Sequence, residues 1–173
     1  MYLVFIAMLA LNMSKEVLSA FGLLNNKIEK ANTETTARNA AFMEGLNTKA
    51  SDEPAQYAAV YAKAQEIETV SNELDSYLTT LKSNAIKDIE DPTDYEVMDK
   101  PDHYNNLFFT GENYKPEGQE IIDKMNEYRT EMMAILSDTA VAKKVAGVED
   151  LKKSIDNNFS TSPETNRDGK EVE

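Results

Sequence analysis

The feature that most constrains this chain is its first segment, MYLVFIAMLALNMSKEVLSAFGLL. Of these 24 residues 18 are apolar, one is Gly22, and only Asn12, Ser14, Lys15, Glu16 and Ser19 are polar. Length and composition suit a membrane-spanning helix, which needs about 20 mostly apolar residues to cross a hydrocarbon core roughly 30 Å thick. No basic residue precedes the apolar core and no small-residue cleavage pattern follows it, which argues against a secretory signal peptide. A buried helix of a soluble domain would need a matching hydrophobic segment, and the acidic remainder offers none.

Two charges sit inside this run, and intramembrane charges cost free energy and usually have a role. At about 100° per residue, Asn12, Lys15, Glu16 and Ser19 fall within an arc of roughly 100°, while Ser14 points almost the other way. The four make a polar stripe, as expected of a helix face that meets protein rather than lipid. Lys15 and Glu16 are neighbours and diverge by about 100°, so they do not pair well within one helix. Their partners are expected on other helices, or their charges are neutralised by proton transfer. Desolvation favours the neutral form of a carboxyl, and an approaching cation reverses that. Glu16 therefore suits a proton-coupled switch, and equally a helix-to-helix anchor.

The whole chain has 173 residues, a formal net charge of -13 and no cysteine. Disulfides and cysteine-based zinc sites are excluded. The acidity argues against nucleic acid as a partner, because phosphate recognition needs a basic patch. Residues 23 to 43 contain neither Gly nor Pro, so the first helix is expected to continue out of the membrane as a stalk. A second helix is expected from a cap at Ser51 or Asp52 to a stop at Asp91-Pro92. Within it Val60, Ala64, Ile67, Ser71, Leu74, Leu78, Leu81 and Ala85 recur at 4-3 spacing, the pattern of a helix that buries one stripe in a bundle. A similar stripe, Ile121, Met125, Tyr128, Met132 and Ile135, follows Pro116, and a shorter helix is expected over Val141 to Ile155. Between the long helices lies a loop rich in Asp, Asn, Pro and Gly, long enough to be functional or mobile. The tail STSPETNRDGKEVE is nearly devoid of apolar residues and reads as disordered or a linker.

Conventional catalytic patterns are poor. His103, the sole histidine, stands beside Asp102 with no cysteine and no nucleophile motif near it, and reads as a surface loop residue. The series Asp88, Glu90, Asp91, Asp94, Glu96, Asp99 and Asp102 lacks the ordered spacing and central Gly of a calcium loop. There is no Gly-rich phosphate loop. The chain is not expected to be an enzyme, and no cofactor or metal is implied.

The first 26 or so positions, MYLVFIAMLALNMSKEVLSAFGLLN and onward, closely resemble the transmembrane signature of the GldM family, also called PorM, of the Bacteroidetes gliding motility and type IX secretion machinery. LFFTGENY followed by GQEIIDKMNEYRTEM resembles the family's first periplasmic domain more loosely. The resemblance implies a homodimer whose membrane helices stand inside a pentameric ring of GldL, driven by proton flow. Its periplasmic domains would carry motion to an outer-membrane ring of GldK and GldN. The glutamate of the family's N-M-S-K-E segment, the carboxylate associated with energy coupling, matches Glu16. The resemblance implies a short basic cytoplasmic stub before the span and further periplasmic domains after the first. Lys27, Lys30 and Arg38 alone would place the following segment in the cytoplasm. The family arrangement places it in the periplasm, beyond the inner membrane.

The expected architecture is all-α, with a transmembrane helix over 1–24, a helical stalk over 25–50, a periplasmic helical domain over 51–158 and a polar linker or domain end over 159–173. The expected site residues are Glu16, Lys15, Asn12 and Ser19, and the expected partners are the lipid bilayer and the motor subunits named above. The alternative is a sensory or scaffolding module with a single span and a helical extracytoplasmic domain.

Overall fold

The computed structural model describes residues 2–87, 90–91, 106–111, 113–161, 164–165 and 171–172, with side chains from Glu16 to Thr161 within those ranges. Helix predominates. Helix α1 (Tyr2–Asp52) is one uninterrupted helix, about 77 Å long at 1.5 Å per residue. It continues through Gly45 and ends against Pro54, the first residue of α2 (Pro54–Ile86). Ser51 and Asp52, expected to cap the second helix, belong instead to the end of α1, where the Ser51 hydroxyl donates to the Asn47 carbonyl at 3.0 Å. The N-cap is Glu53, whose side chain makes no capping bond. Pro54 accounts for the placement, because proline lacks the N–H that α1 would need to continue but has a backbone angle ready for a first helical position.

Helix α2 folds back along α1. The Lys49 ammonium lies 5.5 Å from the centre of the Tyr57 ring near the turn, and Lys82 Nζ lies 2.7 Å from Glu29 Oε1 far along the hairpin. Four residues further on each helix, Ile86 comes level with Asn25. The stalk over 25–50 is thus not a bare rod, since a second helix runs beside it. The part of α1 N-terminal to that point is about 35 Å long. Helix α2 ends at Ile86 and not at the expected Asp91-Pro92 stop.

A two-residue hairpin, β1 (Phe109–Thr110) and β2 (Asn113–Tyr114), pairs antiparallel and leads into α3 (Pro116–Ser137), with Pro116 again at the first helical position. Gly118 permits the junction, because a Cβ there would lie 2.6 Å from the Phe108 carbonyl oxygen. Helix α4 (Thr139–Ala142) begins where the Asp138 carboxylate accepts from the Ala140 N–H at 2.8 Å. Helix α5 (Val148–Asn158) follows. The single helix expected over Val141 to Ile155 is therefore two helices, broken because Gly147 takes φ 78°, a left-handed conformation open to glycine. Strands β3 (Glu164–Thr165) and β4 (Glu171–Val172) form a second antiparallel pair within the tail expected to be a linker.

The core gathers Met132 and Leu136 of α3, Val141 of α4, and Val148 and Ile155 of α5, with Ile67 and Val70 of α2 packed against it. Phe159 joins this core and stacks at 4.7 Å on Tyr128, so the domain extends past α5 into the expected linker. Arg129 and Asp156 pair between α3 and α5. The stripe read on α2 is buried at Leu74 and Ala85 and half-buried elsewhere, except at Leu78, which is exposed. On α3 the stripe deepens from half-buried Ile121, Met125 and Tyr128 to buried Met132 and Ile135.

Candidate functional site

Of the four residues expected to form the intramembrane site, α1 carries all of them. The side chains of Asn12 and Lys15 lie outside the described residues, as do most side chains of the span expected over 1–24, whose backbone is helical from Tyr2. Glu16 and Ser19 are exposed and about 60° apart around the helix axis. Among the described residues no side chain bonds the exposed Glu16 carboxyl. Among the described residues no helix is long and apolar enough to cross a membrane.

Beside the polar stripe runs an apolar one that the sequence reading passed over. Val17, Phe21, Leu24 and Ile28, at 4-3-4 spacing, are each half or more exposed, from 50% at Ile28 to 63% at Phe21. They centre about 110° around the helix from Glu16. The signal was available as a heptad-like period, but inside an apolar run every face carries hydrophobic residues and one stripe does not stand out. An exposed apolar patch of this kind marks a surface that meets other protein or lipid.

On the helical domain, the ionisable groups are tuned by neighbours across the helices. Glu29 is held below the ordinary glutamate range by hydrogen bonds from Lys82 and Asn25. Asp138 is lowered by the Ala140 N–H and then by Lys63. Lys63 and Lys124 are raised, chiefly by hydrogen bonds to Glu66 and Glu127 respectively. Burial pushes the Tyr77 phenol up, helped by the nearby Glu120 carboxylate. Its hydroxyl is buried and finds no hydrogen-bond partner among the described residues. His103, Asp102, Asp88 and the acidic series from Asp94 onward lie outside the described residues, and among the described residues no cluster suited to a metal is present.

The described part of the chain is a helical domain packed around one long continuous helix. The match to known sequences gives that class a specific member. A family model, the GldM N-terminal domain, matches residues 16–173. The chain belongs to the GldM family, an inner-membrane-associated component of the gliding motility and type IX secretion machinery. Comparison with curated proteins finds no match.

Proposed function

We propose that this chain is the rotor or shaft subunit of a motor driven by the proton-motive force, acting as a homodimer whose spans, residues 1–24, stand inside a pentameric ring of GldL. Its helical domain lies in the periplasm and passes motion towards GldK and GldN, and the chain has no enzymatic activity of its own. The observation that carries this reading is the continuity of α1 from Tyr2 to Asp52. A torque applied to the N-terminal part of a continuous helix reaches the domain without a hinge to absorb it, and α2 braces the segment beyond Asn25. The exposed stripe of Val17, Phe21, Leu24 and Ile28 supports the presence of neighbouring helices. Glu16, Lys15, Asn12 and Ser19 form the face that meets the ring, with Glu16 as the carboxyl that changes protonation.

The test is a flexible Gly-Ser insert between Leu24 and Asn25, where α1 leaves the support of α2. The membrane complex should still assemble, and gliding and secretion should stop, because a flexible linker transmits almost no torque. Normal gliding and secretion with that insert would remove the shaft reading.

A further inference from the structure

Two clefts between α2 and α3, of about 550 and 610 Å3, share Thr69, Val70, Glu73 and Glu131 and so form one groove. Along α2 it runs from Ala62 to Tyr77, a distance of about 22 Å, or roughly four helical turns. Its floor is apolar, with Leu74 and Ile135 buried and Val70 and Tyr128 half-buried. Its walls carry exposed Glu66, Glu73, Glu127 and Glu131. The one cation lining it, Lys124, is bound to Glu127 at 2.6 Å. Glu73 and Glu131 close no ion pair among the described residues. At the Lys124 end stands Tyr77, whose buried hydroxyl finds no partner among the described residues.

We propose that this groove docks a basic amphipathic helix of a partner protein, about four turns long, with apolar side chains on the floor and lysine or arginine against the glutamate walls. An apolar floor of that length between two helices is the geometry that receives an amphipathic helix. Glu66 and Glu127 already pair with Lys63 and Lys124, so the walls select charge chiefly through Glu73 and Glu131, which favour a basic rim and repel an acidic one. This inference does not depend on the motor reading, and it concerns a surface far along the hairpin from the N-terminal site.

The absence of cysteine makes the groove testable by thiol trapping in the full chain, solubilised in detergent. Thr69→Cys puts one thiol in the groove, and Thr80→Cys puts one on α2 outside it. The two threonines are matched, each donating to the carbonyl four residues earlier. The probe is a 14-residue leucine-lysine peptide of amphipathic helical pattern carrying an activated disulfide, compared with a scrambled peptide of the same composition. Rates are normalised to a small neutral disulfide reagent, and each variant is checked for cooperative thermal unfolding. The amphipathic peptide should trap Thr69→Cys at least tenfold faster than the scrambled one, with no such preference at Thr80→Cys. Adding Glu73→Lys and Glu131→Lys should erase the preference. Equal rates at both positions, or a preference that survives the charge reversal, would overturn the proposal. So would faster disulfide dimerisation of Thr69→Cys than of Thr80→Cys without peptide, which would assign the groove to a second copy of the chain.

Discussion

Glu29 and Lys82, 53 residues apart in sequence, meet at 2.7 Å across the α1–α2 hairpin. With Lys49 over Tyr57 near the turn, this contact fixes the register in which α2 braces the first helix. Both side chains are more than half exposed, so the pair sets alignment more than it adds stability.

The pair gives the hairpin a pH dependence. The lowered Glu29 and Asp138 carboxyls contribute stability that is complete above the ordinary carboxylate range and is lost as pH falls through their lowered values. The raised Lys63 and Lys124 contribute stability that is complete below the ordinary lysine range and is lost as pH rises through their raised values. Thermal unfolding should therefore show a plateau with acid and alkaline shoulders, and Glu29→Gln should shrink the acid one, more at low salt. A Glu29 carboxyl that titrates by NMR at or above the ordinary glutamate range would contradict this.

Leu136 is 1% exposed at the centre of the core, and Leu78 is 43% exposed. Leu136→Ala should cost about 2–5 kcal/mol, the range for emptying a packed site. Leu78→Ala should cost about 1 kcal/mol or less. Denaturant melts of the two variants measure the difference, and similar midpoints would mean that the core is misplaced.

Two glycines should respond in opposite directions to the same change. At Gly118 the new methyl meets the Phe108 carbonyl, and overpacking against backbone should destabilise by about 1–3 kcal/mol. At Gly45, within α1, nothing lies within 4 Å of the added carbon, and alanine should stabilise the helix by about 0.5–1 kcal/mol. A loss at Gly45 comparable to that at Gly118 would show that α1 is covered there by something beyond this chain.

Glu16 is expected to act through its protonation. Glu16→Gln keeps size and hydrogen bonding but cannot ionise, so it should assemble and abolish motility and secretion. Lys15→Gln should weaken assembly more than proton transfer, because the lysine stem can carry its amine towards a polar group. Asn12→Ala should reduce function without eliminating it. Full gliding by an assembled Glu16→Gln motor would leave the carboxyl as an anchor and move the proton path to the partner helices.

By itself the sequence determined the helical class, both long amphipathic stripes and the family, because each rests on local periodicity or a contiguous motif. It placed the boundary between the first two helices to within a residue or two but not their folding back into a hairpin, and it assigned Ser51 and Asp52 to the wrong helix, since the ends of two helices in series look alike. Only the tertiary structure decided what the stripes meet. The stalk is braced by α2, the left-handed Gly147 splits one expected helix into two, and Phe159 leaves an expected linker to stack on Tyr128. Leu136, outside the stripe read on α3, is more buried than any residue in it because α4 and α5 close over α3 from a second side, and the acidic groove arises from the spacing of α2 and α3. Periodicity within one helix carries the direction of its apolar face, while depth of burial and the shape of a groove depend on where other helices come to lie.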